Sequence, residues 1–101
     1  MTMGKQGDAI ATSPGSGAEE ADDYRRQVVR LNEGWRLIEC KGGIQWILQR
    51  RRSAQERDGA RWMSIAYHRR RDTLIEAVTR RCGPVGPEAM CMLGTLPRMI
   101  G

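Results

Sequence analysis

Phenylalanine is absent from this chain, histidine occurs once, as His68, and no apolar run approaches the ~20 residues that a membrane-spanning helix requires. The front, MTMGKQGDAIATSPGSG, also lacks the apolar core of a secretory signal. A cytoplasmic protein with no membrane contact is therefore expected. Only three cysteines occur (Cys40, Cys82, Cys91), an odd number without C-x-x-C spacing. That pattern builds neither a disulfide framework nor a zinc site, so all three are read as reduced, small, buried core residues. Gly42 and Gly43 do not lead into a helix, which excludes a phosphate-cradling loop of the nucleotide-enzyme kind. His68 stands beside arginines that oppose its protonation, and Glu39, Glu56 and Asp58 have no periodic pairing with it. The expectation is a protein without catalysis, metal or cofactor.

What the sequence does hold is arginine, fifteen against two lysines, within a net charge of +5. The charge is divided unevenly. Residues 1–24 carry one lysine and five acids, net −4, whereas residues 25–101 carry sixteen basic and seven acidic groups, net +9. A basic body favours anionic partners, and a tethered acidic front would attract that body and screen it against weak binding.

At 101 residues the chain fits one domain with a modest core. Residues 1–21, rich in Gly, Ser, Ala and acids without an apolar period, are expected to be disordered, leaving a domain over 22–101. Tyr24, Val28 and Leu31 recur at helical spacing, which predicts a short helix over 22–32 ended by Gly34. Residues 35–40 and 44–51 alternate like strands around the Lys41-Gly42-Gly43 turn and predict a hairpin. Ile44, Trp46 and Leu48 share one face of its second strand. After a polar loop over 53–59, residues 60–68 predict a third strand with Trp62, Ser64, Ala66 and His68 on one side. A helix follows from Arg70–Thr73 to Gly83, with Thr73 and Glu76 at capping-box spacing. A last helix fits Pro87 to Leu96. The expected fold is α+β: a three-stranded antiparallel meander packed on one or two C-terminal helices.

Two arginine triplets, Arg50-Arg51-Arg52 and Arg69-Arg70-Arg71, fall at opposite ends of such a meander, within reach of an extended polyanion but not of one small anion. Guanidinium groups neutralise phosphates and flat rings stack on bases. The six arginines are thus candidate phosphate contacts, with Trp46 and Tyr67 as candidate base contacts, for a DNA or RNA partner. The competing expectation is a protein partner, either an acidic one held by the same arginines or one met by the methionine-rich Met90–Ile100 segment. A homodimer follows if one chain buries too little core.

The stretch GWRLIECKGGIQWILQRR (Gly34 to Arg51), with RW…AYHRRRDTLIEAV and the closing P-x-A…L-x-x-LP, resembles short bacterial proteins of the prophage and plasmid type. That resemblance covers residues 34–97 and implies a mobile-element context without a mechanism. Three antiparallel strands followed by a helix also look similar to the arm-binding domains of phage-type integrases, whose sheet reads the major groove. With the first helix added, the order is similar to a double-stranded-RNA-binding domain, although the G-P-x-H loop and the lysine pair of that family are missing.

Overall fold

The computed structural model describes residues 18–52 and 62–101. Its sheet has four strands, not three: β1 (Gln27–Arg30), β2 (Trp35–Glu39), β3 (Trp46–Arg51) and β4 (Trp62–His68), antiparallel in that order. Two helices follow, α1 (Arg71–Arg81) and α2 (Pro87–Gly94). The predicted loop over 53–59 lies outside the described residues, as do residues 1–17 of the predicted disordered front.

The added strand replaces the predicted first helix. Residues 27–30 pair with β2, and the turn between them is set by Asn32, whose Oδ1 accepts from the Gly34 N–H at 2.9 Å. The amide of Asn32 donates to the carbonyls of Cys82 (2.7 Å) and Pro84 (2.8 Å), so this turn also satisfies the end of α1. Tyr24 and Leu31, which helical spacing put on one stripe, belong to core clusters on opposite faces of the sheet. Pairing with β2 outweighs a local three-residue period.

The β2–β3 hairpin forms as expected, with Gly43 at φ 70° and its N–H donating to the Cys40 carbonyl at 2.9 Å. Leu37, Trp46 and Leu48 face the helices and pack with Leu74, Val78 and Leu93. In β4 the register slips between its pairings with Leu48 and Gln49, leaving Ile65 as an extra residue. Trp62 and Ser64 therefore face away from the helices while Ala66 and His68 face toward them, correcting the strict alternation read from sequence. Helix α1 starts at Arg71 without the expected capping box: no side chain caps its N-terminus, and the Asp72 carboxylate accepts from the Thr73 N–H instead. Gly83, at φ 69°, follows its end.

The helix-free face is covered by residues 18–24, which lie across it as a strap. Beneath the strap sits Arg36, fully buried. Its Nε donates to Gln49 Oε1 at 2.7 Å, Nη2 to the carbonyls of Glu19 and Ala21 at 2.9 Å, and Nη1 to the carbonyl of Asp22 at 3.2 Å. The guanidinium carbon lies 4.5 Å from the centroid of the Trp62 ring, and the Trp62 indole donates to Asp22 Oδ1 at 3.0 Å. Burial lowers the Arg36 pKa to about 10, partly offset by Asp22, so the group stays charged at neutral pH.

Of the cysteines, all free, Cys40 and Cys82 are buried as expected but Cys91 is exposed on α2. Burial pushes the Cys82 thiol up to about 11. At Cys40 burial acts in the same direction, yet the hairpin amides of Ile44, Gln45, Gly42 and Gly43 aimed at its sulfur outweigh it and bring the thiol below its ordinary value.

Two outcomes are expected. Replacing Arg36 by Ala removes four hydrogen bonds and the cation over Trp62 from a buried site and should cost on the order of 3 kcal/mol in urea denaturation. Lysine should not rescue it, because a point charge cannot match a fork of acceptors. A loss below about 1 kcal/mol, the scale of an exposed ion pair, would show that the strap is held by something else. In native protein a thiol reagent should label Cys91 rapidly and Cys40 and Cys82 only at the rate of unfolding; fast labelling of all three would contradict this packing.

Candidate nucleic-acid interface

The strand register separates the two arginine triplets. Arg51 pairs with Trp62 at one end of the sheet, and Trp46 pairs with His68 at the other. At the first end Arg50 and Arg51 are exposed and Arg52 is half-buried. Arg51 and Arg30 sit over the Trp62 ring, 5.8 and 5.0 Å from its centroid. Arg57 and Arg61 lie outside the described residues.

The second triplet does three different things. Arg71 Nη1 donates to the carbonyls of Leu96 (2.8 Å) and Gly94 (3.4 Å), capping the end of α2, so this nitrogen is committed to the fold. Arg70 grips Asp72 in a two-point pair, with Nη2 to Oδ2 at 2.7 Å and Nε to Oδ1 at 3.1 Å. That bond holds the exposed Asp72 carboxyl below its usual range. Arg69 is exposed, and its carbonyl accepts from the Ile100 N–H at 3.0 Å.

Chain folding adds cations to this end that were not selected from the sequence. The C-terminal segment returns as an antiparallel bridge, Arg70 to Met99, so Arg98 borders one groove of about 610 Å³ with Arg70, Arg71, Asp72 and Met99. Across the sheet, the Glu39 N–H donates to the Arg26 carbonyl, which brings Arg25 and Arg26 beside the hairpin lysine, and these three with Tyr24 border a second groove of about 410 Å³. Arg26 pairs with Glu39 at 3.3 Å. Arg25 and Arg26 could have been found as a basic pair just before a strand, had that strand been read correctly. Arg98 could not, because the C-terminal bridge has no signature in the sequence.

Of the two candidate base contacts, Trp46 is excluded: it is 1% exposed and packs in the core beneath the helices. Tyr67 is 56% exposed, on the helix-free face by its register with Ile47. Ile44 (54%) and Met99 (57%) lie at the same end. That end thus combines cations that have no carboxylate partner among the described residues with large apolar side chains open to solvent.

His68 borders a smaller groove, of about 260 Å³, with Thr73, Glu76, Arg80 and Arg81. Thr73 Oγ1 donates to the Arg70 carbonyl, so at 3.2 Å it accepts from His68 Nδ1–H. His68 Nε2 is enclosed and, among the described residues, has no hydrogen-bond partner. Glu76 faces Arg80 at 3.8 Å. Burial first, and Arg81 second, lower the His68 pKa, so the imidazole is neutral at pH 7.

Among the described residues no helix is long and apolar enough to cross a membrane, and no group of three His, Cys, Asp or Glu side chains could hold a metal ion. Compared with protein-family profiles, curated proteins and solved structures, the chain finds no match.

The depressed His68 pKa sets the sign of one pH effect. The unfolded chain takes the proton first, so stability is full above about pH 6.5 and falls as the pH drops from there toward the folded value. Urea midpoints measured from pH 7.5 to 5 should decline, and H68Q should flatten that decline. Identical slopes in both proteins would assign it to other groups.

Proposed function

We propose that this protein binds nucleic acid without chemistry, through the sheet end that carries Arg25, Lys41, Arg69 and Arg98. The observation that carries this reading is the coincidence of cations and exposed apolar side chains at one place. Polyanion backbones supply phosphates for the guanidinium groups, and nucleobases supply flat apolar surface for Tyr67, Ile44 and Met99. Ordinary surface arginines would be interspersed with carboxylates. Here Glu39 and Asp72 are already paired with Arg26 and Arg70, and the Glu19 carboxylate is engaged by the Lys41 backbone N–H. Arg50 and Arg51 at the far end would add contacts along a longer ligand.

A second reading is recognition of a protein by α2, favoured by the outward face of that helix, where Met90 (37% exposed) and Met92 (41%) flank exposed Cys91. The two readings use different residues. M92K should abolish a protein contact and leave nucleic-acid binding intact.

In fluorescence-anisotropy titrations of the full chain, binding should weaken as salt rises. Replacing Arg25 and Lys41 by alanine should lower the slope of log K against log salt by about 1 to 2, as expected for two lost phosphate contacts. Absence of binding to any nucleic acid at low salt would overturn the proposal.

A further inference from the structure

The shape of the basic end narrows the ligand class, on the premise that the end binds nucleic acid at all. Four strands set side by side place the outer two about 14 Å apart at the usual strand spacing. Cations occur across that full width: Arg25 and Arg26 ahead of β1, Lys41 in the hairpin between β2 and β3, Arg69 beyond β4, and Arg98 on the returning C-terminal segment.

An object this broad does not enter a duplex major groove. The B-form major groove is about 12 Å wide and admits one helix or a two-stranded ribbon, and the A-form major groove is narrower still. The hairpin tip alone has the dimensions to enter, but it does not project. On one side Arg26 closes on it, with Nη1 at 3.2 Å from where a Cβ on Gly43 would stand. On the other, Gly101 packs against Ile44, where an added Cβ would meet the Ile44 backbone at 3.4 Å. The tip is therefore part of a blunt surface.

A blunt basic surface can still lie along the outside of a duplex, touching phosphates. Such contact would leave Tyr67, Ile44 and Met99, each more than half exposed, facing a hydrated sugar-phosphate backbone with nothing apolar to cover them. Unpaired bases remove that mismatch, because each presents a face on which a tyrosine stacks while its phosphate stays within reach of an arginine.

We infer that the ligand of this end is single-stranded nucleic acid, with phosphates held by Arg25, Lys41, Arg69 and Arg98 and a base stacked on Tyr67. DNA and RNA single strands share this chemistry.

The test uses the full chain and four fluorescein-labelled probes of equal length: oligo-dT, oligo-rU, duplex DNA and duplex RNA, each titrated at low and near-physiological salt. Single strands should bind at least ten-fold more tightly than duplexes. Tyr67→Ala, at an exposed position that leaves the core untouched, should weaken single-strand binding by about ten-fold without changing the salt slope. Tyr67→Trp should restore it. A preference between oligo-dT and oligo-rU assigns the source and supports the inference either way. Duplexes bound as tightly as single strands, or a Tyr67→Ala protein that binds normally, would overturn the single-strand inference while leaving nucleic-acid binding standing. No binding to any probe would remove the premise itself.

Discussion

A full positive charge lies inside the sheet at Arg36, and the helix-free face is organised around it. Moving a guanidinium out of water costs several kcal/mol unless its donors are all met. Here one acceptor comes from the neighbouring strand, through Gln49, and three come from backbone carbonyls of the strap. Gln49 in turn donates to the Glu19 carbonyl and to Ser64 Oγ, at 3.0 and 3.1 Å, and Trp62 covers the cation while bonding to Asp22. Two helices suffice for only one face of a sheet this size. The planar fork of Arg36 is what binds the seven residues of the strap to the other.

This arrangement changes how the charge of the protein should be read. Several arginines are structural. Arg36 is sealed, Arg71 caps α2, and Arg30 ties the β1–β2 turn by donating to the carbonyls of Asn32 and Glu33. Arg26 and Arg70 are paired with carboxylates. A surplus of arginine in the composition is therefore a poor guide to a binding surface. What matters is where the unengaged cations lie, and their concentration at the hairpin end follows from the strand register together with the returning C-terminus.

The sheet hairpin, both C-terminal helices and the opposite placement of the two triplets were legible because each rests on a local pattern: glycine at a turn, a proline-started helix, alternation along β3. What was not legible depends on contacts distant in sequence. Tyr24, Val28 and Leu31 carry a helical period by coincidence, since pairing with β2 and a bulge at Val28 decide their faces. The extra residue at Ile65 turns Trp62 to the strap side, where it meets Arg36, and no alternation rule could foresee it. Trp46 was legible as a strand residue on the more apolar face, shared with Leu48, but which face the helices cover depends on the whole topology. Arg71 looked equivalent to Arg69 until α2 supplied carbonyls for it.

The acidic run before β1 bears on how the basic end would act. Read from composition, it is a mobile screen. In the fold two of its side chains are anchored: Glu19 Oε2 accepts from the Lys41 N–H at 2.9 Å, and Asp22 holds the Trp62 indole. These two acids cannot sweep across the surface to compete with a ligand, so their contribution to the field at the hairpin end is fixed by the fold. At physiological salt that field decays over about 8 Å, less than the ~14 Å separating the outer strands. Cations at the two sides are thus screened from one another, and each acts on the charge nearest to it. A single small anion would engage only one of them. An extended chain of phosphates would engage them in turn, so the proposed ligand must be a polymer for the same reason that the surface does not behave as one concentrated charge.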